Sequence, residues 1–299
     1  MLVIGSRGSQ LALWQANYIQ QRLADVGLEA RIEIIQTTGD KITNVSLSEL
    51  GPLTSTKGLF TKELEEALLD GRIHLAVHSL KDMPTELPEG LRLAAIPARE
   101  DVRDALIGKT LDELPLGARV GTSALRRQAQ LRALRPDLVV ESIRGNVDTR
   151  LRKLDEGQYD AIMLAAAGLR RLGWGDRITQ YLTLDEMCPA VGQGALAIET
   201  TNGFHGVDLL DEPQARAAIT AERSLLRSLG GGCQVPIGAY ATIMGRELHL
   251  RAVVASADGA VVVRQEGAGA VADAEGVGAR LGDALIENGA REILDDAGV

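Results

Sequence analysis

The chain has 299 residues, enough for two or three domains, and its 45% hydrophobic and 24% charged content is typical of a globular protein. A formal net charge of −9 argues against general nucleic-acid binding, for which a basic domain is the expected signature. No apolar run approaches the ~20 residues that cross a bilayer, and the first residues show no charged leader, so we expect a cytoplasmic protein without a membrane partner.

The first hundred residues alternate short aliphatic runs with amphipathic stretches, a pattern typical of βαβ units and a mainly parallel sheet. Strands are predicted at residues 1–5, 31–37, 73–78 and 91–96, and helices at 9–25, with a serine cap, and at 61–69. Residues 39–58 show no clear period, which predicts a long loop of the kind that is often functional or mobile.

From about residue 98 the alternation restarts and predicts a second α/β unit. Its predicted strands are 119–121, 138–143 and 160–165, and its helices are 123–134 and 147–155. A strand at 195–200 is expected to cross back and complete the first sheet, leaving a hinged cleft between two lobes. A helix at 214–229, strands at 237–244, 247–255 and 260–265, a turn at 255–259 and a helical region from about 272 then predict a small α+β domain.

The predicted fold class is therefore α/β, with two lobes, a cleft between them and a small C-terminal α+β domain. We expect the first lobe to comprise residues 1–97 and 195–212, the second lobe residues 98–194, and the small domain residues 213–299.

Polar residues follow several predicted strands at their carboxyl ends, where open α/β sheets bind ligands. These clusters are residues 6–9, 78–84, 121–127 and 144–150. Arginines are dense between Arg119 and Arg177, although the whole chain is acidic. Because arginine is the preferred partner of carboxylates and phosphates, this density favours a polyanionic small molecule, the alternative being solvated, salt-bridged helix faces.

One of the two cysteines, Cys233, follows three successive glycines and lies shortly before Pro236. A glycine-rich loop lets the backbone approach another group closely, so the thiol is either an attachment point or nucleophile, or a small apolar side chain in a turn. The histidines share no metal-ligand spacing with the cysteines, and we predict no metal site. His78 ends an apolar run and is interpreted as a packed histidine.

Six motifs in order along nearly the whole chain resemble those of the porphobilinogen deaminase, or hydroxymethylbilane synthase, family. They are SRGSQLA at 6–12, KGLFTKEL at 57–64, AVHSLKD at 76–82, RGN at 144–146, AVGQGA at 190–195 and GGC at 231–233. The resemblance implies a cytosolic, monomeric transferase that condenses porphobilinogen units into the linear tetrapyrrole hydroxymethylbilane with loss of ammonia. It also implies lobes like those of periplasmic binding proteins, and a dipyrromethane cofactor joined to Cys233 through a thioether.

The same resemblance implies roles for individual residues. Asp82 is the expected catalytic carboxylate. The expected cofactor-binding residues are Cys233, Lys81, Ser79, Thr122, Arg126, Arg127 and Arg144, and the expected substrate-binding residues are Arg7, Arg150, Arg171, Phe60 and Gln193. Arg170 is an alternative to Arg171, and Ala124 stands where the family usually has a second serine.

Two other functions fit parts of the pattern. A two-lobed binding protein for small anions would have similar lobes, but it predicts a signal peptide or a DNA-binding module and does not need the cysteine loop. A hydrolase with Cys233 as its nucleophile would need a histidine base, and no histidine here has a sequence context that favours that role.

Overall fold

Strands and helices alternate along the chain in this computed structural model, which describes residues 1–41, 61–230 and 236–296. The strands are β1 (Leu2–Ser6), β2 (Ala30–Ile34), β3 (Leu75–Ser79), β4 (Leu91–Ala95), β5 (Asp104–Ile107), β6 (Arg119–Gly121), β7 (Val139–Glu141), β8 (Ala161–Ala165), β9 (Gln180–Tyr181), β10 (Leu196–Thr201), β11 (Ile237–Met244), β12 (Glu247–Ala255) and β13 (Val262–Ala270). The α-helices are α1 (Gln10–Ala24), α2 (Thr38–Lys41), α3 (Lys62–Leu69), α4 (Leu125–Leu134), α5 (Val147–Asp155), α6 (Ala166–Arg171), α7 (Pro213–Ser228), α8 (Ala274–Leu285) and α9 (Arg291–Asp296).

The chain divides into two compact units. Unit 1 comprises residues 1–99 and 195–212, and unit 2 comprises residues 100–194 and 213–299. The narrower limits predicted for three domains, and the cleft predicted between the lobes, stay predictions.

Unit 1 is a five-stranded sheet in the order β2-β1-β3-β10-β4 with helices on both faces. The strands β2, β1 and β3 are parallel, whereas β10 runs antiparallel to both β3 and β4. Helix α1 begins as predicted at a serine cap, because the Ser9 side chain accepts the N–H of Ala12. Its buried residues join one apolar cluster, and Leu64 and Leu68 of α3 join another, so the sheet is covered on both sides.

Unit 2 contains a second five-stranded sheet with the same pattern of strand directions. Its order is β7-β6-β8-β5-β9, in which β7, β6 and β8 are parallel and β5 runs antiparallel to β8 and β9. Apolar residues again form clusters that include Leu106, Val120 and Leu131 in one and Ile107, Ile143 and Leu169 in the other. In each five-stranded sheet the first three strands are parallel, the fourth runs in the opposite direction, and the fifth runs in the direction of the first three.

The last part of unit 2 is a three-stranded antiparallel sheet, β11-β12-β13, packed against α7 and α8. The predicted fold class is confirmed in its two α/β sheets and its small C-terminal α+β domain. The strand predicted to cross back is confirmed as well, because β10 lies between β3 and β4 in unit 1.

The prediction of a mainly parallel sheet is correct for strand direction, since four of the five strands in each sheet run the same way, but the single reversed strand in each, β10 and β5, was not predicted to be antiparallel. Buried strands read as aliphatic runs in either direction, so periodicity does not distinguish them. The short strands β5 and β9 and the helix α6 were not predicted. In the part of the chain that the structure describes, no helix is long and apolar enough to cross a membrane.

Candidate functional site

The carboxyl ends of β1 and β3 lie side by side at one edge of the unit 1 sheet and carry four of the predicted site residues. Strand β1 ends at Ser6 and is followed by half-buried Arg7. Strand β3 ends at Ser79 and continues directly into a 3-10 turn, Leu80–Asp82, which contains Lys81. Because β1 and β3 are parallel neighbours, these residues share the sheet edge at which open α/β folds bind ligands.

The backbone of this turn is fixed while its last side chain is exposed. The N–H of Leu80 donates to the Ala195 carbonyl at 3.1 Å, which ties the turn to the residue before β10. The Gln15 amide of α1 donates to Ser79 Oγ at 2.8 Å. Leu80 is fully buried, whereas the side chain of Asp82 is exposed to solvent. The arrangement holds a carboxylate at a defined position and leaves it accessible to a ligand.

In unit 2 a buried aspartate, Asp104, gathers three of the predicted site residues. Asp104 opens β5 and pairs in register with Ala165, the last residue of β8, so it lies at the carboxyl edge of the parallel strands. Arg126 Nη1 lies 2.7 Å from Asp104 Oδ2, and Arg127 Nε lies 2.8 Å from Oδ1. Gln193 Nε2 donates to the same Oδ1 at 3.0 Å.

The electrostatics of this group follow from burial opposed by two positive charges. Burial alone would raise the pKa of Asp104, but the charges of Arg126 and Arg127 outweigh it and hold that pKa well below the usual aspartate range. Asp104 therefore carries its negative charge throughout the pH range in which proteins are normally handled. Its solvent-inaccessible carboxylate acts as a fixed counter-charge for both guanidinium groups.

Each guanidinium also donates a hydrogen bond to one backbone carbonyl group. Arg126 Nη1 also donates to the Cys188 carbonyl at 2.6 Å, and Arg127 Nη1 donates to the Met163 carbonyl at 3.2 Å. Each arginine exposes 5% of its surface. These side chains are thus oriented by the protein itself, which lowers the entropy that a ligand carboxylate would have to remove on binding.

The start of α4 accommodates an alanine at the position where a second serine was expected. Ala124 is the N-cap of α4, and its methyl group cannot accept a hydrogen bond. Thr122, buried just after β6, accepts the Ala124 N–H on its Oγ1 at 3.3 Å. Thr122 is thus placed at the same sheet edge as Asp104, and its hydroxyl partly supports the helix start.

The 144–150 turn fixes two further arginines. Gly145 has φ +109°, and a Cβ there would lie 2.6 Å from the Thr149 methyl carbon, so glycine is required on both grounds. Arg150 Nε donates to the Gly145 carbonyl at 2.8 Å, and Lys153 Nζ donates to the Arg144 carbonyl at 3.2 Å. Arg144 and Arg150 are both half-buried at the two ends of this turn.

Arg170 and Arg171 have different environments. Arg170 is exposed and forms an ion pair with Glu100 at 3.0 Å. Arg171 is buried, with 9% of its surface exposed, and donates to the Gly194 carbonyl at 2.7 Å. Arg171 is therefore linked to the segment that contains Gln193, which distinguishes it from its neighbour as a candidate binding residue.

The predicted cofactor cysteine, Cys233, and the predicted substrate residue Phe60 lie outside the described residues. The structure does describe what precedes the cysteine loop. Helix α7 ends at Ser228, and Gly230 follows it with φ +66°, the left-handed conformation that commonly ends helices. Glu222 of α7 is fully buried and accepts the N–H groups of Gly192 at 2.8 Å and Ala241 at 2.9 Å.

The other cysteine, Cys188, is a buried thiol with 3% of its surface exposed. Burial raises the pKa of its thiol to about 12, so the reactive thiolate is scarce at neutral pH. Its backbone is held by Gln130, whose side chain bonds both the N–H and the carbonyl of Cys188. Cys188 is therefore a packing residue in unit 2.

Sequence reasoning missed Asp104, Gln130 and Glu222, the three buried polar residues that organise unit 2. Asp104 precedes a short aliphatic run, ALIG, and a charged residue at the start of a buried strand is the signal that could have identified it. Gln130 and Glu222 lie within helices that show no sequence signature of their role. Within residues 1–41, 61–230 and 236–296, no group of three or more His, Cys, Asp or Glu residues could hold a metal ion.

Comparisons with known proteins give one consistent result. Residues 2–207 match the model of the porphobilinogen deaminase, dipyromethane cofactor binding domain, and residues 216–287 match that of the porphobilinogen deaminase C-terminal domain. A porphobilinogen deaminase from Syntrophobacter fumaroxidans is 49% identical over 98% of this chain and 96% of its own. One from Pelobacter propionicus is 50% identical over 99% of this chain and 96% of its own.

Solved structures with some likeness to the chain include a periplasmic substrate-binding protein of an ABC transporter from Coxiella burnetii. It is 13% identical, with 70% of this chain and 90% of that chain covered and a TM-score of 0.43.

Proposed function

Because the chain belongs to the porphobilinogen deaminase family, we propose that it joins porphobilinogen units stepwise into hydroxymethylbilane, with release of ammonia, on a dipyrromethane cofactor attached to Cys233. The observation that carries the proposal is the match of residues 2–207 to the family's cofactor-binding domain. The chain is thus a transferase, and the comparisons support this function over a small-anion binding protein without catalysis.

The arginines fit a ligand that bears many carboxylates. Each porphobilinogen brings an acetate and a propionate, so negative charge accumulates as the product grows, and a buried charge without a partner is costly. Charge-assisted hydrogen bonds from arginine contribute roughly 1.5–3 kcal/mol each. We assign the cofactor carboxylates to Lys81, Ser79, Thr122, Arg126, Arg127 and Arg144, and the substrate carboxylates to Arg7, Arg150 and Arg171, with Phe60 and Gln193 assisting.

When bound, the dipyrromethane supplies the pyrrole carbon to which the first substrate unit is joined. The protein's own contribution is to hold carboxylates and to handle charge at the reacting pyrrole. Loss of ammonia leaves positive charge on the substrate pyrrole, and Asp82 carries the opposite charge on a fixed turn with an exposed side chain. We propose that Asp82 stabilises that charge and guides proton transfer to the leaving amine.

Cys233 is the proposed anchor because it follows three successive glycines and lies in a motif that matches the family, whereas Cys188 lacks such a setting, is buried and has a thiol with a raised pKa. A monomeric state and a cytoplasmic location belong to the same proposal, with no nucleic-acid partner, as the acidic net charge favours.

Intact-mass measurement of the purified protein and of two matched variants tests the proposal. We expect the wild-type mass to exceed the sequence mass by one dipyrromethane, Cys188→Ser to keep that excess, and Cys233→Ser to lose it. We also expect the two proteins with the excess mass, and not Cys233→Ser, to convert porphobilinogen to hydroxymethylbilane. An excess mass that survives in Cys233→Ser, or that disappears in Cys188→Ser, would show that the anchor is misassigned.

A further inference from the structure

Unit 1 contains a buried group of one histidine and two glutamates that has no place in the proposed site. His78 of β3 exposes 6% of its surface, Glu199 of β10 exposes none, and Glu65 of α3 exposes 8%. Charged residues are rarely buried unless they are paired, and burying them without partners is costly. Three titratable side chains in one apolar region therefore require an explanation.

His78 and Glu199 are hydrogen-bonded to each other across two adjacent strands. His78 Nε2 lies 3.0 Å from Glu199 Oε2, and both side chains are buried. The strands are antiparallel neighbours, with His78 opposite Ala197 and Glu199 opposite Ala76. The bond thus adds a side-chain link to the backbone pairing of β3 and β10 at the very end of β3.

Glu65 of α3 interacts electrostatically with both members of this pair. Burial raises the pKa of Glu65 above its usual value, and the negative charge of Glu199 adds to this effect. The neighbouring Thr61 hydroxyl and the charge of His78 offset this rise in pKa only in part. Among the described residues, neither Glu65 Oε1 nor Glu199 Oε1 has a hydrogen-bond partner. A carboxyl group with a raised pKa more readily stays neutral, and His78 faces Glu199 Oε2 as its hydrogen-bond partner.

Strand β3 continues directly into the turn Leu80–Asp82, which carries the proposed catalytic carboxylate. Ser79 follows His78 and accepts the Gln15 amide, and the next three residues form the turn Leu80–Asp82. The N–H of Leu80 is bonded to the Ala195 carbonyl, immediately before β10 begins. The position of Asp82 thus depends on how the last residues of β3 are held against the start of β10.

We propose that His78 and Glu199 are positioning residues for the turn that carries Lys81 and Asp82. This inference rests on the proposed function, because it assigns the pair to the chemical step attributed to Asp82. A misplacement of about 1 Å at a reacting group can lower a rate roughly 100-fold, whereas ligand carboxylates bound by arginines elsewhere are little affected. The pair should therefore influence kcat more than KM.

Steady-state kinetics of four variants of the cofactor-loaded protein test the pair. We expect Glu199→Gln and His78→Leu to lower kcat by roughly 10–100-fold with KM close to the wild-type value. His78→Gln keeps an N–H donor and should recover part of the loss. Since the two residues act as one unit, the double variant Glu199→Gln/His78→Leu should be no slower than the slower single variant.

The control is a second histidine–carboxylate pair in the same unit. His205 lies 2.8 Å from Asp208, but both side chains are exposed, so His205→Leu should leave kcat unchanged. Intact mass and thermal unfolding of each variant establish that it is loaded and folded. Wild-type kcat in Glu199→Gln, a raised KM with unchanged kcat, or an equal loss in His205→Leu would overturn the inference.

Two results separate this inference from other failures. If Glu199→Gln does not fold, the His78 variants and the wild-type protein test the inference instead. Nitrogen NMR of the wild-type protein should show a slowly exchanging proton on His78 Nε2. The absence of that proton would overturn the inference. If the wild-type protein carries no dipyrromethane and makes no hydroxymethylbilane, the proposed function fails. The positioning role of the His78–Glu199 pair then fails with it, because Asp82 would have no chemical step to perform.

Discussion

Asp82 and Asp104 lie at corresponding edges of their two sheets but have opposite environments. Asp104 is inaccessible to solvent and bonded to two guanidinium groups, whereas Asp82 ends a turn and is exposed. A carboxylate already engaged by two fixed arginines cannot respond to charge that develops on a substrate. An exposed carboxylate on a fixed backbone can, and this difference supports the assignment of the chemical step to Asp82.

The role of Asp104 leads to a prediction about acid stability. Because its folded-state pKa is lowered, its contribution to stability is fully present above the unfolded pKa of about 4 and is lost as the pH falls towards the folded-state value. Asp104→Asn leaves two buried arginines without their counter-charge and should destabilise the protein by about 3–5 kcal/mol at pH 7. Urea unfolding between pH 3 and 8, on the order of one pH unit per step, measures the difference.

We expect the difference in the free energy of unfolding between wild type and Asp104→Asn to be constant from about pH 6 to 8 and to become smaller below about pH 4. Asp155→Asn is the matched control, because Asp155 pairs with Arg177 at the exposed surface and should contribute under about 1 kcal/mol. A loss of unfolding free energy in Asp104→Asn that is as small as that of the control, or that becomes larger in acid, would contradict the assigned role.

At the scale of elements, α7 and α8 approach each other unusually closely. A Cβ built at Gly278 of α8 would lie 2.2 Å from the Ala221 carbonyl oxygen and 2.9 Å from the Leu225 nitrogen, both in the backbone of α7. One at Gly276 would meet only the ends of the Asp273 and Arg280 side chains. Helix α7 leads into the cysteine loop, so this contact helps to define where that loop begins.

Two glycine substitutions in the same helix should therefore have opposite effects. Gly278→Ala forces two helix backbones apart and should destabilise unit 2 by roughly 1–3 kcal/mol. Gly276→Ala moves only flexible side chains and gains helix propensity, so it should be neutral or stabilising by up to about 1 kcal/mol. Thermal unfolding of both variants measures the difference. Equal melting temperatures for the two variants would show that α7 and α8 can move apart without loss of stability.

Elements with a clear period were predictable from the sequence. The helix α5 and the strands β11 and β12 were predicted with the bounds that the structure has, because amphipathic spacing and turn residues delimit them. Strands β5 and β9, with four and two residues, are too short to show a period. Their omission left the antiparallel half of the second sheet unpredicted.

The candidate site was predictable in part for a related reason. The clusters at residues 6–9, 78–84 and 121–127 were located because polar residues that follow parallel strands meet at one sheet edge. The roles of Arg7, Asp82 and Thr122 within these clusters came from the family resemblance and stay predictions. Asp104 lies 22 residues before Arg126 and opens an antiparallel strand, so that rule does not reach it. Buried partners that come from distant segments become visible only when the strand order is known.

At the scale of the whole molecule, an acidic chain has a region rich in arginines that includes several of those proposed to bind its anionic ligands. The net charge is −9, yet arginines are concentrated in residues 119–177. Arg7 belongs to unit 1, whereas Arg126, Arg127, Arg144 and Arg150 belong to unit 2. Each added porphobilinogen brings two carboxylates, and arginines at several positions can hold successive units. A single binding site would instead have to be vacated by each joined unit before the next porphobilinogen could bind.

This distribution predicts that single arginine substitutions stop elongation at different lengths. With limiting porphobilinogen, the wild-type protein should show a ladder of covalent species, each heavier by one pyrrole unit, in mass spectra taken after brief mixing. Arg7→Leu and Arg150→Leu should each end the ladder early, at different rungs, because each removes a carboxylate partner that a different unit of the growing product needs. Arg152→Leu is the control, since Arg152 is exposed and pairs with Glu156 on the surface of α5.

Asp82→Asn should slow every rung instead of removing particular ones, because it lacks the charge needed at each chemical step while all carboxylate partners remain. Stepwise retention is therefore distinguished from slow chemistry by the shape of the ladder as well as by the rate. If the wild-type protein shows no bound intermediates at slow turnover, or if both arginine variants only raise the porphobilinogen concentration required, one shared binding site would explain the data better than successive sites. The position at which each ladder ends would, in the expected case, assign each arginine to a particular step of chain growth.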